Sequence, residues 1–340
     1  MPLEAPGRLL VLGAINWDTT VFVRKFAEAG EEVPVNSVEE SPGGKGANAA
    51  VAAARILGPD SVEIIGALGD DATGVLLRRS LRSEGVTDTG IAILRRTPSG
   101  RAYIVVDELG GKVIHTFFGA NEKLKPDHLQ SSGAKSALSS ARTVLVMDVP
   151  IPVALAAAWK AKEVGASVVY SPGVRSSLGV KALEEILGLA DVLVIDRSEL
   201  SNLSGPRDPA GAASNLHLMF PGLTVVVTLG PLGCVVVLHG NLSVLPGVDL
   251  ADLGLKAVNS TGSGDAFLGA FTSYRMLGRP YLEAALLGNL GGALKATRSE
   301  TRGSPTRVEL EKTMEALGRV RRRRRGSPSK TASPRYRRRS

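Results

Sequence analysis

The segment 259–267 combines two glycines with one acidic residue in an order that suits phosphoryl chemistry. It leads into an apolar run, residues 266–277, which predicts a helix that begins near Gly264 with Asp265 in its first turn. The N–H groups at a helix start lack intrahelical partners and the helix dipole is positive there, so the site attracts phosphate. A carboxylate beside a transferring phosphoryl group can accept the proton of an attacking hydroxyl. The segment therefore predicts a kinase for a small alcohol.

A second glycine-rich turn, Gly43–Asn48, enters another predicted helix. It is not a Walker A loop, which requires G-x-x-x-x-G-K-[ST]. Lys45 and Asn48 lie on one face of this helix start, where they can hydrogen-bond sugar hydroxyls. The alternative is a helix cap with tight packing against a sheet, and the motif alone is only suggestive.

Two polar residues, Asn16 and Asp18, follow the first predicted strand, residues 8–13. They point the same way if the chain stays extended. An amide and a carboxylate in this arrangement suit vicinal hydroxyls, and an Asx turn is the alternative.

The arrangement of elements predicts one α/β domain over residues 1–318. Strands alternate with helices from about residue 143 onward, which is typical of a mainly parallel sheet with helices on both faces. Strand-rich segments at about 18–38 and 91–118 do not fit the alternation and predict a small β-sheet lid. Because the chain is 44% apolar but only 4% aromatic, its core must consist mostly of aliphatic side chains.

The charge is unevenly distributed. The formal net charge is +8, but the segment 319–340 holds ten Arg, one Lys and no acid. The domain itself is therefore mildly acidic, and the tail is predicted to be disordered, with nonspecific polyanion binding as the sharper alternative. One cysteine, Cys234, excludes an intramolecular disulfide and favours a reducing compartment. With no 18-residue apolar run and no signal peptide pattern, we expect a cytoplasmic protein without a membrane span.

The chain resembles the PfkB or ribokinase family of carbohydrate kinases. Gly43–Asn48 is similar to the N-terminal signature of that family, and Ser260–Phe271 to its C-terminal signature. The intervening Gly66–Asp71 is similar too, and the resemblance covers residues 8–318. It implies a ribokinase-like fold and an ATP-dependent kinase that uses Mg²⁺.

The resemblance also implies roles for individual residues. Asp265 would be the catalytic base. The backbone N–H groups of Gly262, Ser263, Gly264 and Asp265 would form the anion hole. The sugar would be held by Asn16, Asp18, Gly43, Gly44, Lys45 and Asn48. The nucleotide phosphates would be lined by Thr228, Gly230 and Gly233, and Asn289 would approach the adenine. Glu199 would bind the metal and the phosphates, and Asp196 would serve in the same role.

Three features depart from the family pattern or leave it open. Asp196 stands where the family usually has asparagine. Asn259 stands where members that use a monovalent cation tend to have aspartate, which puts K⁺ dependence in doubt. Asp148, just after a predicted strand, is a further candidate for holding the sugar.

The acceptor is the least determined property. Arg101 lies in the predicted lid strands with Arg95, Arg96 and Lys112, where a phosphorylated substrate would need cations. If these cations bind a phosphate, they favour fructose 6-phosphate, with ribose and nucleosides as alternatives. If they are only solvated charges of the lid, they favour none of these acceptors. The alternative of another class is a non-catalytic sugar- or nucleotide-binding regulator whose tail contacts nucleic acid. Apolar lid residues such as Ile114 and Phe117 predict a homodimer that pairs through the lids.

Overall fold

The computed structural model describes residues 7–205 and 208–326, and within them the chain forms a nine-stranded sheet and a separate four-stranded sheet. The strands of the large sheet run from edge to edge in the order β13 (Asn241–Pro246), β12 (Gly233–Leu238), β11 (Thr224–Thr228), β10 (Val192–Asp196), β9 (Ser167–Ser171), β8 (Ala141–Met147), β1 (Arg8–Gly13), β4 (Val62–Gly69) and β5 (Val86–Leu94). Strands β5 to β11 of this order are parallel, and β12 and β13 are antiparallel additions at one edge. The predicted mainly parallel sheet is confirmed.

Helices cover both faces of the large sheet. One face carries α1 (Lys45–Leu57), α2 (Ala72–Ser83), α8 (Ser263–Met276), α9 (Tyr281–Ala296) and α10 (Arg307–Gly326). The other carries α3 (Ser132–Ser140), α4 (Ile151–Glu163), α5 (Gly179–Leu189), α6 (Arg197–Ser204) and α7 (Pro209–Met219). Both layers are rich in buried Ala, Val and Leu, as the composition predicts. The sheet is thus buried on both sides, which is the usual environment of parallel strands.

The small sheet has the strand order β3 (Val35–Gly43), β2 (Asn16–Val23), β6 (Gly100–Val106) and β7 (Lys112–Phe117), and we call it the lid sheet. The predicted lid segment 91–118 is wrong at its start. Residues 86–94 form β5, which pairs in parallel with β4 in the large sheet. The physical reason is α2, because a helix between two strands is a crossover that returns the chain to a parallel neighbour.

The C-terminal helix is longer than the sequence predicts. The predicted tail begins at residue 319, but α10 (Arg307–Gly326) continues eight residues into it. Arginine is a good helix former, and the run 321–325 contains no breaker before that glycine. The remaining predicted tail, 327–340, lies outside the described residues, so its disorder stays a prediction. Among the described helices none is long and apolar enough to cross a membrane.

Small residues bring two helix starts together. A side chain built on Gly269 of α8 would place its Cβ 2.6 Å from the Cβ of Ala52 in α1, and one on Gly46 would lie 2.5 Å from the backbone of Gly13. The absence of these side chains lets α1 approach both α8 and the end of β1. The N-termini of the two helices consequently open at the same place.

Candidate active site

The site lies at the carboxyl edge of the large sheet, where β1 and β8 are neighbours but the chain winds away from them in opposite directions. Clefts form at such switch points in open α/β sheets. The ends of β1, β8 and β10 deliver Asn16, Asp148 and Glu199 to this edge. The starts of α1 and α8 open onto it as well, as the following contacts show.

Asp265 is linked to the first glycine-rich helix. It occupies the first turn of α8, and its Oδ2 accepts a hydrogen bond from Asn48 Nδ2 at 2.8 Å. Burial raises the pKa of Asp265, and the Asn48 hydrogen bond and the Lys45 charge oppose that rise. The two segments picked out by their glycines thus meet at one carboxylate, although 217 residues separate them in the chain.

The start of α8 has the geometry of an anion site. Gly262 caps the helix with φ +83°, and a Cβ there would overlap the carbonyl oxygen of Thr301. The N–H of Ser263 donates to Ser260 O at 3.2 Å, so it closes the turn. The N–H groups of Gly264 and Asp265 have no carbonyl four residues back within the helix. They are therefore the two donors that this turn offers to an anion.

Lys45 stands at the centre of three carboxylates. Its Nζ lies 3.0 Å from Glu199 Oε1. Burial alone would lower the pKa of Lys45, but the charges of Glu199, Asp148 and Asp265 raise it above its ordinary value. The Lys45 side chain is therefore a cation at physiological pH. Two-fifths of its surface is exposed.

Asp18 and Asp148 are buried acids with an unused oxygen. Asp18 is 4% exposed and Asp148 is 7% exposed. Oδ1 of each has no hydrogen-bond partner among the residues that the structure describes. Burial raises the pKa of Asp148, and it raises the pKa of Asp18 to about 7, with Asp265 adding to the rise and Arg302 opposing it. Buried acceptors are normally satisfied, and a ligand that donates hydrogen bonds would satisfy these two oxygens.

Arg302, which the sequence analysis did not identify, binds three elements of the site at once. Its guanidinium donates to Asn48 Oδ1 at 3.1 Å, to Gly43 O at 2.8 Å and to Ser80 Oγ at 3.0 Å. It is 8% exposed. The loop around it, residues 301–305, is buried despite its polar composition. Its sequence has no periodic pattern of apolar residues that would predict this burial.

Asn16 is held by a second residue that the sequence did not single out. Asn121 Nδ2 donates to Asn16 Oδ1 at 2.9 Å, and Asn121 Oδ1 accepts the N–H of Ile15 at 2.9 Å. The predicted pair of Asn16 and Asp18 therefore lies buried on β2, and Asn121 holds the Asn16 side chain. Glycine at position 43 leaves room for Asp18, because a Cβ there would overlap its carboxylate.

Other predicted site residues have structural partners. Asp196 caps α6, and its Oδ1 accepts the N–H of Glu199 at 2.7 Å. Arg101 donates to Thr73 Oγ1 of α2 at 3.0 Å, so its hydrogen bond belongs to α2 and not to the carboxylate cluster. Asn289 Nδ2 lies 3.4 Å from Pro246 O. Each of these three side chains therefore has a hydrogen-bond partner within the protein.

The predicted phosphate-lining residues form a tight turn between β11 and β12. Thr228 ends β11, and Gly230 has φ +60°. Gly233 has φ +102°, and a side chain there would overlap the carbonyl oxygen of Leu245. The turn follows a parallel strand and so opens at the same edge of the sheet as the helix starts.

The lid sheet reaches the anion site. Lys112 of β7 lies with its Nζ 3.4 Å from Ser260 Oγ, in the loop before α8. Burial lowers the pKa of Lys112, while the charge of Asp265 acts in the opposite direction. A lid cation and the Asp265 carboxylate therefore share one cleft.

Comparisons with known proteins place this geometry in context. The profile of the pfkB family carbohydrate kinases matches residues 7–307. An ATP-dependent ribose-1-phosphate kinase of Halopiger xanaduensis is 32% identical over 303 residues, which are 88% of this chain and 95% of that protein. A ribokinase of Haemophilus influenzae is 31% identical over 308 residues, 88% of this chain and 96% of the relative.

Two further comparisons concern length and structure. The chain spans about half (51%) of a bifunctional ribokinase/ribose-5-phosphate isomerase A of Fructilactobacillus sanfranciscensis, to which it is 29% identical over 286 residues, 82% of its own length. The structure of Arabidopsis thaliana ribokinase complexed with ribose and ATP superposes with a TM-score of 0.80 and 25% identity. That alignment covers 92% of this chain and 99% of the other.

Proposed function

The chain belongs to the pfkB family of carbohydrate kinases, and from that premise we propose that it transfers the γ-phosphoryl group of ATP to a hydroxyl of ribose. The observation that carries the proposal is the meeting of Asp265, Asn48 and the α8 start beside two buried carboxylates with unused oxygens. Matches to a ribokinase and to a ribokinase complex with ribose and ATP support the choice of pentose and donor.

Each residue of the site has a separate role in the proposed reaction. Asp265 accepts the proton of the attacking hydroxyl, and Asn48 holds the carboxylate that does so. The N–H groups at the start of α8 stabilise the negative charge that grows on the transferred phosphoryl group. Lys112 stands on the lid side of the same cleft, where a cation favours the same charge. Positioning and electrostatic stabilisation account for most of the rate enhancement in phosphoryl transfer.

A polyhydroxylated acceptor explains the orphan oxygens. Hydroxyl groups donate hydrogen bonds, and Asp18 Oδ1 and Asp148 Oδ1 are buried acceptors without partners among the described residues. Asn16 and Lys45 add an amide and a charged donor beside them. We propose that this set holds the ring hydroxyls, with Gly43 and Gly44 providing the close backbone approach.

The donor set fits Mg²⁺ held mainly by ATP. Within the described residues no group of three acidic, His or Cys side chains is arranged as a metal site. Mg²⁺ commonly binds through one or two carboxylates together with phosphate oxygens and water. Glu199 and the exposed Asp196 are at the correct edge for that role. When bound, Mg²⁺ neutralises charge on the phosphates.

We propose that the rest of the nucleotide is held by Thr228, Gly230, Gly233 and Asn289.

An acceptor panel tests the proposal. Purified protein with ATP and Mg²⁺ is offered ribose, ribose 1-phosphate, fructose 6-phosphate and adenosine, and ADP release is measured with mass analysis of the product. We expect the highest kcat/KM with ribose. The relative that phosphorylates ribose 1-phosphate makes that sugar the second candidate. The comparisons lend no support to fructose 6-phosphate, and preference for it, or ADP release with none of the four, would contradict the proposal.

The raised pKa of Asp18 predicts pH-dependent sugar affinity. Asp18 keeps its proton in the folded protein up to about pH 7, against 3.8 for the ordinary group. Only the ionised carboxylate accepts hydrogen bonds with both oxygens, so ribose affinity should rise roughly fivefold to tenfold from pH 6 to pH 8. Calorimetric titration without ATP measures this, and Asp18→Asn should abolish the pH dependence. An equal slope in wild type and variant would refute it.

The same shift has a consequence for stability. Because folding raises this acid's pKa, the folded protein binds more protons than the unfolded chain between about pH 4 and pH 7. The contribution of Asp18 to stability therefore declines as the pH rises through that interval. Bound sugar offsets the decline by giving the ionised carboxylate hydrogen-bond donors.

Assembly and location remain proposals. Exposed apolar residues of the lid sheet, such as Val38, Tyr103 and Ile114, support a lid-to-lid homodimer, which the molar mass in solution tests. The polyanion role of the tail and the cytoplasmic location stay predictions. The non-catalytic alternative requires a degraded site, and Asp265, Lys45 and the glycines at 262 and 264 are all in place.

A further inference from the structure

Lys295, in the last turn of α9, is a fully buried cation bound by backbone oxygens. It has 0% of its surface exposed. Its Nζ donates to the carbonyl of Asn259 at 2.8 Å and to that of Arg298 at 3.4 Å. No carboxylate forms a salt bridge with it in the described parts of the chain. Burying an ammonium is costly, and burial lowers the pKa of Lys295 to about 8. The side chain therefore still carries its proton at neutral pH, where the two carbonyls bind it.

The ammonium joins the loop before α8 to the end of α9. The N–H groups of Val258 and Asn259 donate to Ala296 O at 2.7 and 3.0 Å. Asn259 Nδ2 donates to Ser299 O at 2.7 Å, and its Oδ1 accepts the N–H of Thr261 at 2.9 Å. The Lys295 ammonium binds the carbonyl of Asn259 in the same loop. From Asn259 the chain reaches the Gly262 cap after three residues and Asp265 after six.

Neighbouring carbonyls in the segment 298–304 are also bound by the protein's own cations. Arg55 Nη1 donates to Arg302 O and Ser304 O, both at 2.7 Å. Arg298 Nη1 donates to Gly303 O and Ser304 O, both at 3.1 Å. Clusters of backbone carbonyls are the ligands that proteins use for K⁺. Here the guanidinium groups of Arg55 and Arg298 already bind these carbonyls.

K⁺, which the resemblance left in doubt, therefore does not fit this loop. Asn259 carries an amide where a carboxylate would draw a cation, and its Nδ2 already donates to Ser299 O. The Lys295 ammonium takes the carbonyl of Asn259, one of the oxygens that an inorganic cation would bind.

We propose that Lys295 is a built-in monovalent cation, a positioning residue that holds the 259–262 loop and through it the anion site and Asp265. Phosphoryl transfer consequently needs no K⁺ in solution. The consequence for turnover rests on the proposed function, whereas the consequence for folding does not. Removal of the side chain leaves a cavity that ends at two carbonyl oxygens, and a small free cation can bind there.

Thermal unfolding tests the cation role independently of activity. Wild type, Lys295→Ala, Lys295→Met and the exposed-lysine control Lys160→Ala are melted at equal concentrations of tetramethylammonium, potassium or methylammonium chloride. In each of the three salts, we expect wild type and the control to have the same Tm. Lys295→Ala should melt at least about 4 °C lower in tetramethylammonium and regain part of the loss in the two smaller cations. Lys295→Met should melt lower without recovery, because its side chain fills the cavity.

Kinetics supply the second measurement. Wild-type kcat should change by less than about twofold between the three salts. In tetramethylammonium, Lys295→Ala should lose at least about tenfold in kcat with ATP binding retained, and the smaller cations should restore several-fold. Wild-type activation by K⁺ of more than about threefold overturns the proposal, as does a Lys295→Ala variant that matches Lys160→Ala in Tm. If both Lys295 variants fail to fold, the wild-type salt comparison decides. If no acceptor is phosphorylated, the melting data decide and the proposed function alone fails.

Discussion

Asp265→Asn should lower kcat by about 10²–10⁴-fold while the affinities for ATP and sugar stay within a few-fold of wild type. The substitution keeps the size of the side chain and removes only the ability to accept a proton. Asn48 still lies within hydrogen-bond reach of position 265, and the start of α8 is unchanged. Binding and chemistry therefore separate in this variant, because the lost interaction is made only when the hydroxyl gives up its proton.

The measurement is steady-state turnover with ribose together with calorimetric titration of both ligands. Asp208→Asn is a matched control, since Asp208 caps α7 by accepting the N–H of Gly211 at 2.9 Å and is exposed. Because asparagine caps a helix about as well as aspartate, this variant should leave both stability and kcat nearly unchanged. Near-normal turnover of Asp265→Asn would end the assignment of a catalytic base at this position.

Arg302→Met should reduce kcat/KM by about 10²-fold and destabilise the fold by about 3–5 kcal/mol. The guanidinium is buried and donates to the Asn48 amide, the Gly43 carbonyl and the Ser80 hydroxyl. Its removal leaves those acceptors unpaired and releases Asn48, which orients Asp265. Methionine retains most of the apolar volume, so the loss reports on the hydrogen bonds and the charge.

The charge of Arg302 also opposes the rise in the pKa of Asp18. In Arg302→Met the midpoint of the pH-dependent sugar binding should therefore move above pH 7, a result that general destabilisation does not produce. Arg302→Lys should restore part of the stability but little of kcat/KM, because one ammonium cannot span the same acceptors. Arg279→Met, at a half-exposed arginine paired with Glu283, is the control. Unchanged kcat/KM and an unchanged pH midpoint in Arg302→Met would refute the role.

Much of the architecture follows from local pattern. The alternation of strands and helices predicts the parallel sheet, and the comparisons confirm the family and the ribokinase-like fold. Residues 91–94 are apolar and predict a strand by themselves, whereas residues 86–90 are mostly polar or glycine. The two segments together form β5 and pair with β4. The high charge of the segment after residue 318 predicts disorder, but arginine also favours helices, and α10 continues to Gly326.

The sequence by itself determined where the two helix starts lie and that Asp265 stands in one of them, because glycines, caps and dipoles act within a single turn. Only the tertiary structure decided which side chains complete the site. Arg302 lies 254 residues from Asn48, and Lys295 is 36 residues from the carbonyl that it binds. Arg302 belongs to a polar loop and Lys295 lies at the end of an apolar helix. The contacts of both depend on close packing between distant elements, and no local periodicity encodes such a contact.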